Sequence, residues 1–453
     1  MKKGLLVVFL LAVVLFPVFA SDEGLKIGDT TWKFNGEIRF MYTDQTSYDG
    51  YYVGYVYNFT EGTDSFNRMY QRYRFGITGE FNENLSAHYE LQVGDEQWGN
   101  KNYNEREVNI RSLYAYIQYK PEFIAGTTVK VGLQGYDDIF QYSVWSDEGV
   151  GIITNYNNEK FNANFGYLTL RDDDVDTDVD PGDGLISSTD TLIIADMNYA
   201  LMDGLTVKAA YYFENWQVRD SAYLDYYSNY LGFGADYQFN DSIAVGGHYV
   251  MNKGSADYNN SIWDLKGYFL FGYASYSKDK LSAKVNFGYT PYDRKNPSDP
   301  EDSTEVTVWH GAFPMGDGLG SSIYFARGNQ WTTAYGLEYL GRGEVCDRQA
   351  VLSSYGDWPG LMVISFNLSY DFMYANFGIA KHTYVDEAMI GWEEVDKTIG
   401  SELDLGVKTE IMKGLQFKAV YAMFFAGEFW KVGIDEVELE NGHEMSMLLQ
   451  YNF

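Results

Sequence analysis

The feature that most constrains this chain is a two-residue alternation of apolar and polar side chains that recurs along most of its length. The C-terminal stretch shows it clearly, because the following apolar residues share one strand face: Met445, Met447, Leu449, Tyr451 and Phe453. Successive side chains of a β-strand point to opposite faces, so this period indicates strands. Amphipathic segments of roughly ten residues, separated by turn residues, are typical of transmembrane β-barrels.

The same pattern begins near the N-terminus, where Trp32, Phe34 and Ile38 alternate with Glu37 and Arg39. Short turns and long polar loops follow one another between the amphipathic segments. The sequence therefore predicts an all-β fold, a transmembrane antiparallel up-and-down β-barrel of 18 strands, with 20 or 16 strands as alternatives. Within 108–119 the apolar residues change phase, which predicts a β-bulge there.

The first 20 residues have the organisation of a secretory signal. Lys2 and Lys3 precede an apolar run, and Val18-Phe19-Ala20 forms a cleavage site. A transmembrane helix is the competing interpretation, and the short apolar run argues against it. We therefore expect 1–20 to be a signal peptide and 21–453 to form a single barrel domain.

One segment does not fit this plan. Residues 291–360 are too long for an ordinary loop. They either contain another hairpin, near 331–340, or fold into the barrel lumen as a constriction.

Composition narrows the choice of partners. Aromatic residues make up 18% of the chain, as expected for a wall that faces lipid and lipopolysaccharide. A net charge of −31 argues against binding nucleic acid. A final strand that ends in Phe453 suits recognition by the barrel-assembly machinery of the outer membrane.

Charged and aromatic side chains on the polar strand faces are the candidates for lining a pore. They are Glu37, Arg39, Arg72, Arg74, Glu80, Glu90, Lys130, Tyr212, Tyr230, Glu402, Asp404 and Lys408. A basic ladder on one wall would create a transverse field that selects among charged solutes. Mutual pairing of the interior charges is the alternative. The two tyrosines would offer stacking faces to sugars.

An acidic loop is the only candidate for binding a metal or cofactor. Asp174, Asp176, Asp178 and Asp180 repeat at every second position, and such carboxylates could converge on Ca²⁺. A solvated acidic loop is the favoured interpretation. The five histidines have no metal-ligand or catalytic spacing, so no enzymatic activity is expected.

Two segments carry a family resemblance. Residues 399–429 resemble the C-terminal hairpin of alginate-export-type outer-membrane porins, with its G-x-E-x-D strand and F-x-G-x-F closure. Residues 129–152 are similar to that family's V-G-R-Q segment, with Leu133 in place of the arginine. The resemblance implies a monomeric barrel of 18 strands.

Together these features predict a porin-like channel in the outer membrane, for passive diffusion of small hydrophilic solutes, including anionic ones or saccharides. A structural or adhesive surface barrel with an occluded lumen is the alternative. An outer-membrane hydrolase is the less favoured third interpretation.

Overall fold

Eighteen long antiparallel strands close into one barrel in the computed structural model, and three short strands lie outside this circuit. The structure describes residues 24–46, 65–98, 110–140, 146–170, 191–217, 225–258, 261–294, 305–308, 361–383, 398–427 and 442–453. The barrel strands are β2 (Thr30–Thr46), β3 (Ser65–Asn82), β4 (Leu85–Trp98), β5 (Ile110–Tyr119), β6 (Thr127–Asp137), β7 (Ser146–Asn157), β8 (Phe161–Leu170), β9 (Thr191–Met202), β10 (Leu205–Gln217), β11 (Asp225–Asn240), β12 (Ile243–Tyr258), β13 (Ser261–Lys278), β14 (Leu281–Tyr289), β17 (Leu361–Tyr370), β18 (Met373–His382), β19 (Thr398–Met412), β20 (Leu415–Ala426) and β21 (Gly442–Asn452). The short strands are β1 (Leu25–Ile27), β15 (Tyr292–Arg294) and β16 (Glu305–Val308).

Each barrel strand pairs antiparallel with its neighbours in the chain, and β2 pairs with β21 to close the circuit. At this seam the Gly36 amide donates to the Phe453 carbonyl oxygen at 3.0 Å, and the Phe453 amide donates to the Gly36 carbonyl oxygen at 3.1 Å. The predicted antiparallel up-and-down barrel of 18 strands is confirmed, and the alternatives of 16 and 20 strands are wrong.

The two faces of the wall have opposite character. Large apolar side chains such as Phe165, Leu231 and Phe366 are exposed on the outside, whereas polar side chains such as Asp196 and Ser228 are buried on the inside. This is the reverse of a soluble protein. An apolar outer wall is stable in hydrocarbon, because the closed barrel satisfies its backbone hydrogen bonds internally.

Local turn chemistry explains one rim of the barrel. Asn82, Asn158 and Asn240 begin short turns, and each side-chain oxygen accepts a hydrogen bond from the backbone amide two residues later. Such turns form from local sequence alone. The strand connections at the opposite rim run largely through residues that the structure does not describe.

The predicted bulge lies in β5. Glu90 pairs with Tyr114 and Leu91 pairs with Ser112, so Leu113 is the extra residue. Its side chain is buried, which accounts for the change of phase in the sequence.

Between β14 and β17, β15 pairs with β16, and β16 pairs in parallel with β13. Residues 295–304 and 309–360 lie outside the described part, so the inward fold of 291–360 stays a prediction. Because β14 pairs directly with β17, the wall has no place for two further strands from a hairpin near 331–340. The signal peptide at 1–20 and the Ca²⁺ site at Asp174–Asp180 also lie outside the described part. Among the described residues, no helix is long and apolar enough to cross a membrane.

Candidate functional site in the barrel lumen

A cluster of arginines lies on the inner wall of β2 and β3. The Arg72 Nε donates to Glu37 Oε1 at 2.7 Å, and the Arg39 Nε lies 3.4 Å from the same oxygen. All three side chains are largely buried, with 10–14% of each exposed. One carboxylate therefore bridges two guanidinium groups, and part of the predicted basic ladder is paired.

Arg74 has a different partner. Its Nε donates to the neutral Gln92 Oε1 at 2.8 Å, and no described carboxylate lies within ion-pair distance of it. Glu90 lies instead next to His88, with 3.5 Å between the carboxylate and Nε2. Among the three arginines, Arg74 is thus the one whose described hydrogen-bond partner is neutral.

Three predicted lining residues differ from this cluster in their surroundings. Glu80 pairs with Lys33 at 2.7 Å, and both side chains are about 40% exposed or more near the short turns. Lys130 lies over the Tyr116 ring at 4.9 Å from its centroid. Lys408 is exposed. None of the three contacts the Arg39–Arg72–Arg74 cluster directly among the described contacts.

Carboxylates and tyrosines form the inner wall around β9, β10 and β11. Asp196 accepts hydrogen bonds from Tyr136, from Tyr212 at 3.2 Å and from Asn164 at 2.8 Å. Tyr230 donates to Glu214 at 3.1 Å. Tyr212 and Tyr230 are inward as predicted, but both are fully buried, so neither presents an open stacking face.

The predicted acidic pair of β19 also lies inside the barrel. Glu402 and Asp404 are fully buried on the inner wall. Asp404 is the register partner of Asn376, and Glu402 is the register partner of Gly378.

The end of β6 and the residues directly after it fold into the lumen, which the sequence analysis did not predict at this position. The Ile139 amide donates to the Tyr212 hydroxyl at 3.3 Å, and the Phe140 amide donates to Asp138 Oδ1 at 2.5 Å. Phe140 is fully buried against Gly232, where an added Cβ would lie 2.2 Å from its ring. Residues 136–140, here called the inward segment, therefore fill part of the lumen.

The end of the inward segment packs against an aromatic cluster. The Phe140 ring centroid lies 5.3 Å from that of His248, which stacks on Phe271 at 5.0 Å and lies 5.5 Å from Phe269. In the sequence, Asp137 and Asp138 directly precede Ile139 and Phe140. Two apolar residues directly after this acidic pair are the signal that could have indicated an inward turn.

The described residues contain no group of three His, Cys, Asp or Glu side chains placed to hold one metal ion. What the lumen offers is a charged, partly narrowed passage with arginines on one wall and carboxylates on another.

Comparisons with known proteins support the fold. No family model matches the chain, and no curated protein matches its sequence. Among solved structures, OpdL of Pseudomonas aeruginosa is similar with a TM-score of 0.54 and 10% identity, over 94% of this chain and 99% of OpdL. OpdQ of the same organism has a TM-score of 0.51 and 12% identity, over 94% of this chain and 99% of its own. The outer membrane protein OprD has a TM-score of 0.50 and 12% identity, over 96% of this chain and 97% of its own. At such low identity these similarities show a shared barrel fold across nearly the whole chain.

Proposed function

We propose that this protein is a porin-like channel of the outer membrane, through which small hydrophilic solutes diffuse passively. The observation that carries the proposal is a closed 18-strand barrel whose outer wall is apolar and whose inner wall is polar and charged. In porins, a lipid-facing barrel of this kind encloses a polar, water-filled channel. The proposed role is transport and not catalysis.

The resemblance of 399–429 and 129–152 to alginate-export-type porins supports the same class of function. We include in the proposal the monomeric state that the resemblance implies, contact with lipid and lipopolysaccharide, and insertion by the barrel-assembly machinery. Leu133 replaces the arginine of that family's motif, so an alginate-type anion site at this position is not part of the proposal.

Arg74 gives the channel its proposed preference for anions. Glu37 compensates Arg39 and Arg72, whereas the described partner of Arg74 is the neutral Gln92. A cation on a partly dehydrated wall raises the local concentration of anions. Small anionic solutes should therefore concentrate beside β3.

Conductance of the purified protein in planar lipid bilayers tests the proposal. The wild type should conduct, and the reversal potential in a salt gradient should show a contribution from anions. Arg74→Gln should shift the reversal potential toward cation preference. Lys280→Gln is the control, because Lys280 pairs with Asp371 at an exposed turn and both side chains are solvated.

Two results would contradict the proposed channel or its proposed preference for anions. A folded, reconstituted protein that stays electrically silent would rule out the channel. An unchanged reversal potential in the double variant Arg72→Ala, Arg74→Ala would mean that the arginines only solvate the wall.

The inward segment favours a second candidate, a structural or adhesive surface barrel with an occluded lumen. Phe140 and Tyr212 are both fully buried inside the barrel, so this side of the passage is filled. Electrical silence of the wild type, together with conductance of a variant that lacks the Phe140 ring, would support this candidate.

A further inference from the structure

A polar row crosses the outer face of β11, β12 and β13, far from the short turns. Strand register joins Asn229 to Lys253 and Lys253 to Lys266. Both lysine side chains are exposed, and they share the lipid-facing side of their strands with the exposed Met251 and Leu270. The Asn229 amide nitrogen donates to the Lys253 carbonyl oxygen at 3.2 Å, which links this row across two strands. Lys253 and Lys266 are here called the outer lysine pair.

The outer lysine pair lies where the apolar band of the wall ends. It is ten residues from the register pair Ile243 and Tyr276, next to the short turns. Ten residues of a tilted strand rise about 25 Å, which equals the height of the apolar band in outer-membrane barrels. Short turns face the periplasm in such barrels, so the pair lies at the outer leaflet. Between Ile243 and Lys253, the positions on the lipid-facing side of β12 carry no charge: Val245, Gly247, Tyr249 and Met251.

Tyrosine rings lie directly beneath the pair. The ring centroids of Tyr249 and Tyr268 are 5.4 Å apart, and those of Tyr268 and Tyr289 are 6.0 Å apart. Tyr268 is two residues from Lys266 on the same side of β13. Tyrosine is enriched where a membrane meets water, because its ring is apolar and its hydroxyl group is polar. These rings therefore support a position of the pair at the level of the lipid headgroups.

Two like charges face each other in this row. Directly opposite side chains of an antiparallel pair have their Cβ atoms about 5 Å apart, and like charges at this spacing are destabilising. Among the described residues, no carboxylate forms an ion pair with Lys253. An anion between the two ammonium groups would convert their repulsion into attraction. The acidic residues that follow in these strands all come further from the apolar band; they are Asp225, Asp257 and Asp264.

The surroundings of the pair favour an amphipathic anion over a soluble one. A soluble anion would contact the lysines alone, whereas a lipid also covers the tyrosine rings and the apolar band below them. Lysine is a common ligand of phosphate, and its hydrogen bonds to ionised phosphate are stronger than those between neutral groups. In the outer leaflet of a bacterial outer membrane, the glycolipid lipopolysaccharide carries phosphate groups above its acyl chains.

We infer that the outer lysine pair is a binding site for a phosphate group of lipopolysaccharide, whose acyl chains lie along the apolar band below it. The proposed function includes contact with this lipid as a class of partner, and the inference names the residues that bind it. It rests on the proposed location in the outer membrane and does not depend on conduction.

The test is binding of diphosphoryl lipid A, the phosphorylated anchor of lipopolysaccharide, to the full-length protein folded in detergent. Native mass spectrometry over a range of lipid concentrations gives the Kd. Lipid A should bind saturably, and the same lipid without its phosphates should bind more weakly. The double variant Lys253→Gln, Lys266→Gln should raise the Kd at least about fivefold, because it removes both charged donors.

The matched control is Lys278→Gln with Lys280→Gln, which removes two exposed lysines at the β13–β14 turn, on the opposite side of the membrane. Its Kd should equal that of the wild type. Lys253→Arg with Lys266→Arg keeps both charges and should also bind as tightly as the wild type. Folding of each variant is checked by its faster migration in unheated SDS gels.

Several results would overturn the inference. They are absence of saturable binding, equal affinity for the lipid without phosphates, equal weakening by the two glutamine double variants, and loss of binding in the arginine variant. Displacement of lipid A by inorganic phosphate at the same concentration would mean that the site takes a soluble anion. Equally tight binding of phosphatidylglycerol would mean that it takes any phospholipid. Either result would overturn the assignment to lipopolysaccharide.

Lipid binding is measured without conductance, so the two proposals fail separately. A conducting protein that does not bind lipid A would overturn the lipid site alone. A protein that binds lipid A but stays silent in bilayers would overturn the channel alone.

Discussion

At the scale of single residues, the alternation in the sequence predicted which face each side chain occupies but not which partner it meets. Arg39, Arg72 and Arg74 do lie on the inner face. Strand register places Glu37 opposite Arg74, yet Glu37 bonds to the diagonally placed Arg72. Arg74 bonds instead to its register partner on β4, Gln92. Register is set by turns and long-range pairing, so the unequal pairing of the three arginines could not be derived from the pattern alone.

Gly132 has a backbone conformation that residues with a Cβ rarely adopt. Its φ is +133°, and an added Cβ would lie 2.2 Å from the Ala115 carbonyl oxygen. Gly132→Ala should therefore lower the free energy of unfolding by about 1–3 kcal/mol. The measurement is the urea concentration at which the fast-migrating band of the folded barrel is lost.

Gly272→Ala is the control, because a Cβ there would have its nearest neighbour at 3.8 Å. If both alanine variants unfold at the same urea concentration, the backbone of Gly132 does not need glycine.

At the scale of elements, the short turns were predictable and the inward segment was not. A turn such as Asn240-Asp241 forms through the asparagine's own side chain, within a few residues. The position of the Phe140 ring instead depends on its contacts with Gly232 and His248, which lie on two strands in a distant part of the chain. The sequence placed an inward fold at 291–360 because of its length, whereas the described inward segment is short.

The inward segment yields a prediction about pore size. Phe140→Ala should raise single-channel conductance, because the ring fills space against Gly232 and His248. Gly232→Val should do the same by displacing the ring, since even a Cβ at this position would lie 2.2 Å from it. Single-channel recordings of both variants in planar bilayers provide the measurement.

Phe123→Ala serves as the control for the removal of an aromatic ring, because Phe123 lies in the β5–β6 turn with 81% of its side chain exposed. Its conductance should match the wild type. Unchanged conductance in the Phe140 and Gly232 variants would mean that the inward segment lies beside the conducting path and does not narrow it.

At the scale of the whole molecule, strand number and topology followed from the sequence because a barrel repeats one simple pattern. Each hairpin shows the alternation, and the circuit must close between the first and last wall strands, β2 and β21. The properties of the passage do not repeat in this way. They depend on contacts across the lumen, such as Tyr136 with Asp196, that join strands which are not neighbours.

Closure itself can be tested through the last residue. Phe453 exchanges two backbone hydrogen bonds with Gly36, and its ring covers Gly36 so closely that an added Cβ would lie 2.5 Å from it. Deleting Phe453 should reduce the folded fraction severalfold, because it removes both bonds and uncovers the seam. Phe453→Trp keeps the backbone bonds and an aromatic ring, so it should assemble nearly as well as the wild type.

Comparing refolding in detergent with assembly in cells separates two roles of Phe453, closure of the seam and recognition by the assembly machinery. Refolding into detergent depends on closure alone, whereas assembly in a diderm bacterium also requires the barrel-assembly machinery. If the deletion impairs both equally, Phe453 acts at the seam. A deletion variant that refolds normally in detergent but fails to assemble in cells would assign Phe453 to recognition by the machinery. Yields equal to those of the wild type, both in detergent and in cells, would contradict either role.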